Sequence, residues 1–378
     1  MIKIGITGQK GFIGTHLFNY LGLHECVKRI PFEDEYFKNE ITLQNYVKAC
    51  DVIVHLAALN RHDDPQILYE INIELVKKLI SACEKTDSTP HILYSSSTQE
   101  KQGNLYGKSK YEGRELLERW ANKNHAQFTG LIIPNVYGPF GVPYYNSFIA
   151  TFCHQLTSSE EPKIDIDGEV KLIFVGELVV KIYDQILAKK NDEVNGIPIR
   201  EVNIEHTAQK RVSEVLKLLL EYKQNYYENG VIPNLTDQFE RNLFNTFVNY
   251  IDHNIFFPFR LSKHADYRGE FVEIIKLNSG GQVSFSTTAP NITRGNHYHT
   301  RKYERFAVLK GRARLQLRKI GTNQVIDFEL DGNEPCFVDI PIWHTHNIQN
   351  IGSDELYTIF WISEQYDPED DDTYHEIV

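Results

Sequence analysis

Along the first two thirds of the chain, short unbroken apolar runs alternate with stretches that repeat at the helical period. Ile2–Thr7, Cys26–Ile30, Asp51–Ala58 and His91–Ser97 read as buried strands, because a strand covered on both faces shows little polar alternation. Apolar spacings of three and four predict helices that run to Leu21, open at Tyr106, and cover Phe148–Gln155, Val212–Tyr222 and Leu235–Tyr250. Strand and helix in alternation predict an α/β fold with a doubly wound parallel sheet. Around Asn254-Ile255-Phe256-Phe257-Pro258 the rhythm changes to short strands broken by glycine turns, which predicts an all-β second domain. The expected division is residues 1–252 and 253–378, without an internal repeat or a low-complexity linker.

Composition narrows function more than fold. With 378 residues, 41% hydrophobic and 24% charged, the chain has the length for two cores and the balance of a soluble globular protein. No apolar run reaches the roughly 18 residues needed to span a bilayer. A buried strand starts directly after Met1, so the expectation is a cytoplasmic protein without a signal or transit peptide. A net charge of −11 argues against nucleic acid as the main partner. Cys26, Cys50, Cys83, Cys153 and Cys336 are odd in number and lack C-x-x-C spacing, as expected for reduced structural thiols. The run Glu369-Asp370-Asp371-Asp372 reads as solvated.

Candidate chemistry begins where the first strand meets Gly8-Gln9-Lys10-Gly11-Phe12-Ile13-Gly14 and a helix. Glycines so spaced let the backbone approach a pyrophosphate at the helix N-terminus, which makes Gly8, Gly11, Phe12, Ile13 and Gly14 candidate cofactor contacts. Lys28 and Arg29 stand where an NAD-specific site would place an acid and point to NADPH, with Glu33 and Asp34 close enough to keep the choice open. The strand that runs through Leu56 ends in the small residues Ala57 and Ala58, suited either to cofactor contact, with Leu56 as a further candidate, or to tight packing. Tyr106 and Lys110, four apart, share a helix face. An ammonium beside a phenol, whose reference pKa is about 10, lowers that value toward the working range of an acid or base. Ser97, at a strand's carboxyl end, would orient the substrate oxygen, with Ser95 and Ser96 as competitors.

A second cluster lies in Arg294-Gly295-Asn296-His297-Tyr298-His299-Thr300-Arg301-Lys302-Tyr303-Glu304, which Pro341, His346 and Asn350 answer downstream. Period-2 alternation sends His297 and His299 to one side of a strand, and Glu304 opens the next run, which turns at Gly311. His297, His299, Glu304 and His346 make a nitrogen-rich set with one carboxylate, which favours Zn2+ over Mg2+ or Ca2+. Four protein ligands leave little room for a Lewis-acid role, so a mainly structural metal is expected; His344 competes with His346.

These motifs carry family resemblances. The glycine turn, Ser97 and Tyr106-x-x-x-Lys110 resemble the extended short-chain dehydrogenase/reductase family, with its Rossmann-type sheet. Leu131–Pro139 resembles the strand and loop that bridge cofactor and substrate in nucleotide-sugar members, which makes Asn135 a substrate candidate. H-x-H-x(4)-E-x(6)-G followed by P-x(4)-H-x(3)-N resembles the cupin family, a metal-binding double-sheet barrel, except that Trp343 stands where that family has glycine. Asp266-Tyr267-Arg268-Gly269-Glu270-Phe271-Val272-Glu273 resembles the opening segment of cupin-type sugar-nucleotide epimerases. That likeness puts Arg268 at a diphosphate, with a structural salt bridge as the alternative; Arg294 is a further substrate candidate.

The fusion of the two resembles a family of bifunctional capsular-polysaccharide enzymes, which carry equivalents of Pro143-Tyr145-Asn146-Ser147 and Asp372-Thr373-Tyr374. The resemblance implies a homodimer acting on a UDP-linked 4-keto-6-deoxy amino sugar. The cupin would epimerise C3 of a UDP-2-acetamido-2,6-dideoxy-4-hexulose, and the reductase domain would reduce C4 with NADPH. The product would be UDP-2-acetamido-2,6-dideoxy-L-talose, on the way to UDP-N-acetyl-L-fucosamine for capsule or O-antigen. Two alternatives stand: a cupin that only dimerises and binds sugar, with reduction the sole chemistry, or the same steps on another UDP- or dTDP-4-keto sugar.

Overall fold

The computed structural model describes residues 1–188, 199–267, 269–272, 274–278 and 280–378. In the first part of the chain, β1 (Ile2–Thr7), β2 (Val27–Ile30), β3 (Val52–His55), β4 (His91–Ser97) and β5 (Phe128–Ile133) are followed by β6 (Asn135–Tyr137) and β7 (Glu169–Phe174). β8 (Ile199–Asn203) and β9 (Ala208–Arg211) come next. Six of these strands make a parallel sheet in the order β2-β1-β3-β4-β5-β8, and β6, β7 and β9 form a small separate sheet. The helices are α1 (Phe12–Leu21), α2 (Glu40–Ala49), α3 (Pro65–Lys85), α4 (Leu105–Asn124), α5 (Phe148–Thr157) and α6 (Val175–Leu187).

Both faces of the parallel sheet are covered, which is why its strands read as unbroken apolar runs. Val52 and Val54 face one core with Leu17 of α1 and Ile182 of α6, whereas Ile53 between them faces the other with Val47 of α2, Leu79 of α3 and Leu117 of α4. Parallel pairing lines the carboxyl ends of the strands along one edge, and strand order reverses at β1. A crevice therefore opens outside the ends of β1 and β3, the usual ligand position in doubly wound sheets.

The compact units divide the chain differently from the expected cut at 252. One comprises Met1–Thr151 and Gly168–Arg211, the other Phe152–Asp167 and Val212–Val378. Helices α7 (Val212–Tyr222), α8 (Gln238–Val248) and the short α9 (His253–Phe256) thus belong with the β structure. The reason is polar as well as apolar. Tyr226 donates to Asp339 Oδ2 at 2.7 Å, and Arg305 grips the same carboxylate at 2.7 and 2.8 Å while donating to the Gly230 carbonyl at 2.8 Å. Helical periodicity alone shows none of these bonds.

The β part contains the pair β10 (Val231–Ile232) and β14 (Lys276–Leu277) and the hairpin β12 (Lys263–Asp266) and β13 (Gly269–Val272). Its main strands are β11 (Phe259–Arg260), β15 (Gln282–Thr288), β16 (Thr293–Tyr298), β17 (Glu304–Lys310), β18 (Arg312–Lys319) and β19 (Val325–Asp331). β20 (Cys336–Ile340), β21 (His344–Asn350), β22 (Leu356–Ile362) and β23 (Tyr374–His375) complete them. They form two five-stranded sheets, β11-β20-β17-β22-β15 and β19-β18-β21-β16-β23. Ala307, Phe337 and Val338 of the first pack with Leu315, Leu317 and Ile348 of the second in one core, the double-sheet arrangement of a cupin.

One sequence expectation fails here. The acidic tail is not uniformly solvated, because Asp372 is 3% exposed and accepts from the amides of Thr300, Arg301 and Lys302. A buried carboxylate is tolerated when several donors satisfy it.

Candidate functional site

In the first unit a cleft of about 650 Å³ runs along the carboxyl ends of β1, β3 and β4. Gly8, Gly11, Phe12, Ile13, Gly14, Leu56, Ala57, Ala58, Ser97, Tyr106, Lys110 and Asn135 all line it. The glycines have separate reasons. Gly8 sits at φ +72, and a Cβ there would meet the Ala57 backbone at 2.9 Å; a Cβ on Gly14 would meet the Gly8 carbonyl at 2.2 Å. Gly11 caps α1 without any side-chain hydrogen bond, and the first turn carries no acid. Its amides and the positive end of the helix dipole are left for an anion, so these residues fit the pyrophosphate of a dinucleotide.

Lys28 and Arg29 do not reach this cleft. Arg29 lies within β2, where its guanidinium stacks 4.4 Å from the Phe18 ring and donates to the Phe18 carbonyl at 3.0 Å. The cleft wall beyond β2 is made by Asp34, Phe37 and Lys38, with Lys10 ion-paired to Glu33 nearby. The charge of Arg29 is thus engaged within β2, while Lys38, past the strand's end, lines the cleft.

Tyr106 and Lys110 share a face of α4, and the Lys110 Nζ lies 5.8 Å from the Tyr106 ring centroid. The expected lowering of the phenol is absent. Burial dominates and, with Tyr145 nearby, pushes Tyr106 up to about 12. Burial also draws Lys110 down to about 8, partly offset by Glu100, and its Nζ donates to the Ser95 carbonyl at 3.0 Å. A phenol so placed keeps its proton at neutral pH, the form a proton donor needs. Sequence reasoning missed two partners: Tyr106 donates to Asn60 Oδ1 at 3.1 Å, and Asn60 N–H donates to the Tyr145 hydroxyl at 3.1 Å. Asn60 follows Ala57 and Ala58 in the loop after β3, but only the fold brings it to α4. Among the serines, Ser95 donates to the His55 carbonyl, Ser96 bonds Glu100, and Ser97 accepts from the Gln99 amide at 3.2 Å.

The second unit gathers the histidines. A bulge between Gly295 and His297, with Gly295 at φ +101 and Asn296 at φ +58, sets His297 opposite His346. His297, His299 and Glu304 offer donor atoms within 4.8 Å of one another. The Glu304 Oε2 lies 3.1 Å from His299 Nε2 and 3.2 Å from His346 Nε2, and the His297 and His346 rings are 4.5 Å apart. Buried His299 Nε2, Glu304 Oε2 and His346 Nε2 nonetheless make no hydrogen bond. Donor atoms converging in this way fit a cation-binding set. Burial pulls His346 down to about 3, which keeps it a neutral ligand; against its own burial cost, Glu304 is held down at about 2, chiefly by His299.

His344 turns away from the set: its Nδ1 meets the Ile342 carbonyl at 3.0 Å and its ring lies 5.5 Å from His253. Trp343 adopts φ +61, the left-handed conformation that explains glycine at this place in cupins. It stacks on Tyr298 at 5.7 Å. Arg294 is used structurally, donating to Thr288 Oγ1 at 3.1 Å and the Thr287 carbonyl at 3.0 Å. Arg268 lies outside the described residues.

Comparison with known proteins now bears on these sites. The model of the NAD dependent epimerase/dehydratase family matches residues 4–203, more than half of the chain. The chain belongs to that family. This family member also matches the polysaccharide biosynthesis C-terminal domain over residues 264–374. It is 31% identical over 375 residues, 99% of this chain and 98% of the other, to the UDP-2-acetamido-2,6-beta-L-arabino-hexul-4-ose reductase of Pseudomonas aeruginosa. Among solved structures it resembles the capsular polysaccharide assembling protein CapF of Staphylococcus aureus, with 31% identity, full coverage of both chains and a TM-score of 0.62. CapF with the inhibitor 3-isopropenyl-tropolone matches at 30% identity and a TM-score of 0.59, again over both whole chains.

Proposed function

We propose that this protein is a bifunctional nucleotide-sugar enzyme of polysaccharide biosynthesis, which reduces a UDP-linked 4-keto sugar in the first unit and epimerises its C3 in the second. The substrate is a UDP-2-acetamido-2,6-dideoxy-4-hexulose, and the product is UDP-2-acetamido-2,6-dideoxy-L-talose, a precursor of UDP-N-acetyl-L-fucosamine. The observation that carries this reading is the near full-length likeness to a reductase of such a sugar, on a chain whose cleft joins a glycine turn to Tyr106 and Lys110.

The nicotinamide cofactor, NADPH in this proposal, supplies a hydride to C4. The chain's own residues handle the proton and the charge. Tyr106 stays neutral and donates to the alkoxide oxygen forming at C4, Asn60 holds the phenol in place beforehand, and Lys110 supplies positive charge beneath it. Asn135, in the cleft wall, contacts the sugar. Epimerisation precedes reduction, because the 4-keto group makes the C3 proton acidic. His297, His299, Glu304 and His346 would hold Zn2+, which ties strands of both sheets together in a mainly structural role. We place the enzyme in the cytoplasm as a homodimer.

Full-length Tyr106→Phe, incubated with the 4-keto sugar in D2O, tests the scheme. The expected result is loss of NADPH oxidation by about 10²- to 10⁴-fold with deuterium still entering C3. Absence of exchange in the wild type as well would reduce the second unit to a binding module.

A further inference from the structure

The acidic tail plays no part in the proposed chemistry, yet it contains one of the most thoroughly satisfied carboxylates in the protein. Asp372 Oδ1 accepts from Thr300 N–H at 3.1 Å and from Thr300 Oγ1 at 2.6 Å. Its Oδ2 accepts from the amides of Arg301 and Lys302, both at 3.0 Å. Its backbone carbonyl lies 2.6 Å from Nδ1 of His299. One residue, at φ +43, therefore holds three successive amides and the imidazole just before them. The strap on either side is anchored too. Arg301 pairs with Asp370 and Glu364, Lys302 donates to the Asp371 carbonyl at 2.7 Å, and Tyr374 and His375 pair with Tyr298 and His297.

His299 needs such help. It follows the last residue of β16 and precedes β17, so no strand register fixes its ring. Its carbonyl is held by the Trp343 amide at 2.7 Å, but that bond does not set the imidazole. A carbonyl at Nδ1 makes that nitrogen the hydrogen-bond donor and leaves Nε2, 3.1 Å from Glu304 Oε2, as the ring nitrogen that faces the cage. Groups that orient a metal-bound histidine through its other ring nitrogen commonly change metal affinity by about 10- to 100-fold when removed.

We infer that Asp372 is a positioning residue for the metal cage: its carboxylate clamps the 300–302 turn and its carbonyl aims His299, so the C-terminal strap sets metal affinity. The inference rests on the metal reading of His297, His299, Glu304 and His346.

The test uses the full-length protein, with Zn2+ affinity measured by competition against a chromogenic chelator and ligand geometry by the visible spectrum of the Co2+ form. Asp372→Ala is expected to weaken Zn2+ binding about 10- to 100-fold and to alter the Co2+ spectrum. Asp372→Asn, which keeps an acceptor oxygen for part of the turn, should fall between it and the wild type. Glu369→Gln makes the same change of charge on an exposed tail residue and should bind as the wild type does. Should Asp372→Ala fail to fold, the comparison of Asp372→Asn with Glu369→Gln decides. Wild-type affinity and spectrum in the Asp372 variants would overturn the inference while leaving the cage intact. A wild type that takes up neither Zn2+ nor Co2+ would overturn the cage reading and the inference with it.

Discussion

Individual side chains here do what their surroundings allow, which is not always what their identity suggests. Arg29 has the charge for a 2′-phosphate, but its place inside β2 spends that charge on the Phe18 ring and carbonyl. Lys38, beyond the strand, lines the cleft. If NADPH binds there, Lys38→Ala should raise its KM about tenfold and leave that for NADH nearly unchanged, since one charged contact contributes about 1.5 kcal/mol. Lys28→Ala with Arg29→Ala should change neither. Steady-state kinetics with both cofactors checks this; a larger effect from the strand pair would move the specificity site back to β2.

At the scale of elements, close backbone approach at the glycine turn decides what the first unit can bind. The Gly8 carbonyl lies where a Cβ on Gly14 would stand, at 2.2 Å, so Gly14→Ala must push α1 away from the turn. The expected outcome is NADPH binding weakened by at least about tenfold, seen by cofactor fluorescence, with a lower melting temperature. Unchanged binding would show that the turn does not hold the pyrophosphate. The glycine pattern made this element legible from sequence; period-2 spacing holds for His297 on β16, whereas His299 lies one residue past the strand's end and is held by the Asp372 carbonyl. The bulge at Asn296 and the turn of His344 toward His253 were not legible, because the first depends on how β16 pairs with β21 and the second on where α9 brings His253.

Across the whole molecule, buried histidines link stability to pH. Burial lowers His55 in the first unit and His344 in the second to about 3, against an ordinary value of 6.5. Between those values the unfolded chain binds protons that the folded one refuses, so stability is full above about pH 6.5 and drains as pH falls toward 3. Urea midpoints should therefore be level near pH 7 and decline steadily below 6.5. A midpoint level down to pH 4 would show that water reaches both rings. Among the described residues, no helix is long and apolar enough to cross a membrane.

Sequence by itself determined the two classes of fold, the glycine turn and the Tyr106-Lys110 face, because each is a local periodicity or spacing that backbone geometry converts directly into position. Tertiary structure alone decided the rest. Asn60 meets Tyr106 across 46 positions, and Asp372 meets Thr300 across 72. Helices α7 to α9 fall in the same unit as the β strands, where the Arg305–Asp339 pair and Tyr226 bind the segment after α7. Hydrophobic rhythm specifies which face is buried but not which partner buries it. A buried polar group persists only where distant parts of the chain supply its hydrogen bonds, so its role appears once those parts have come together.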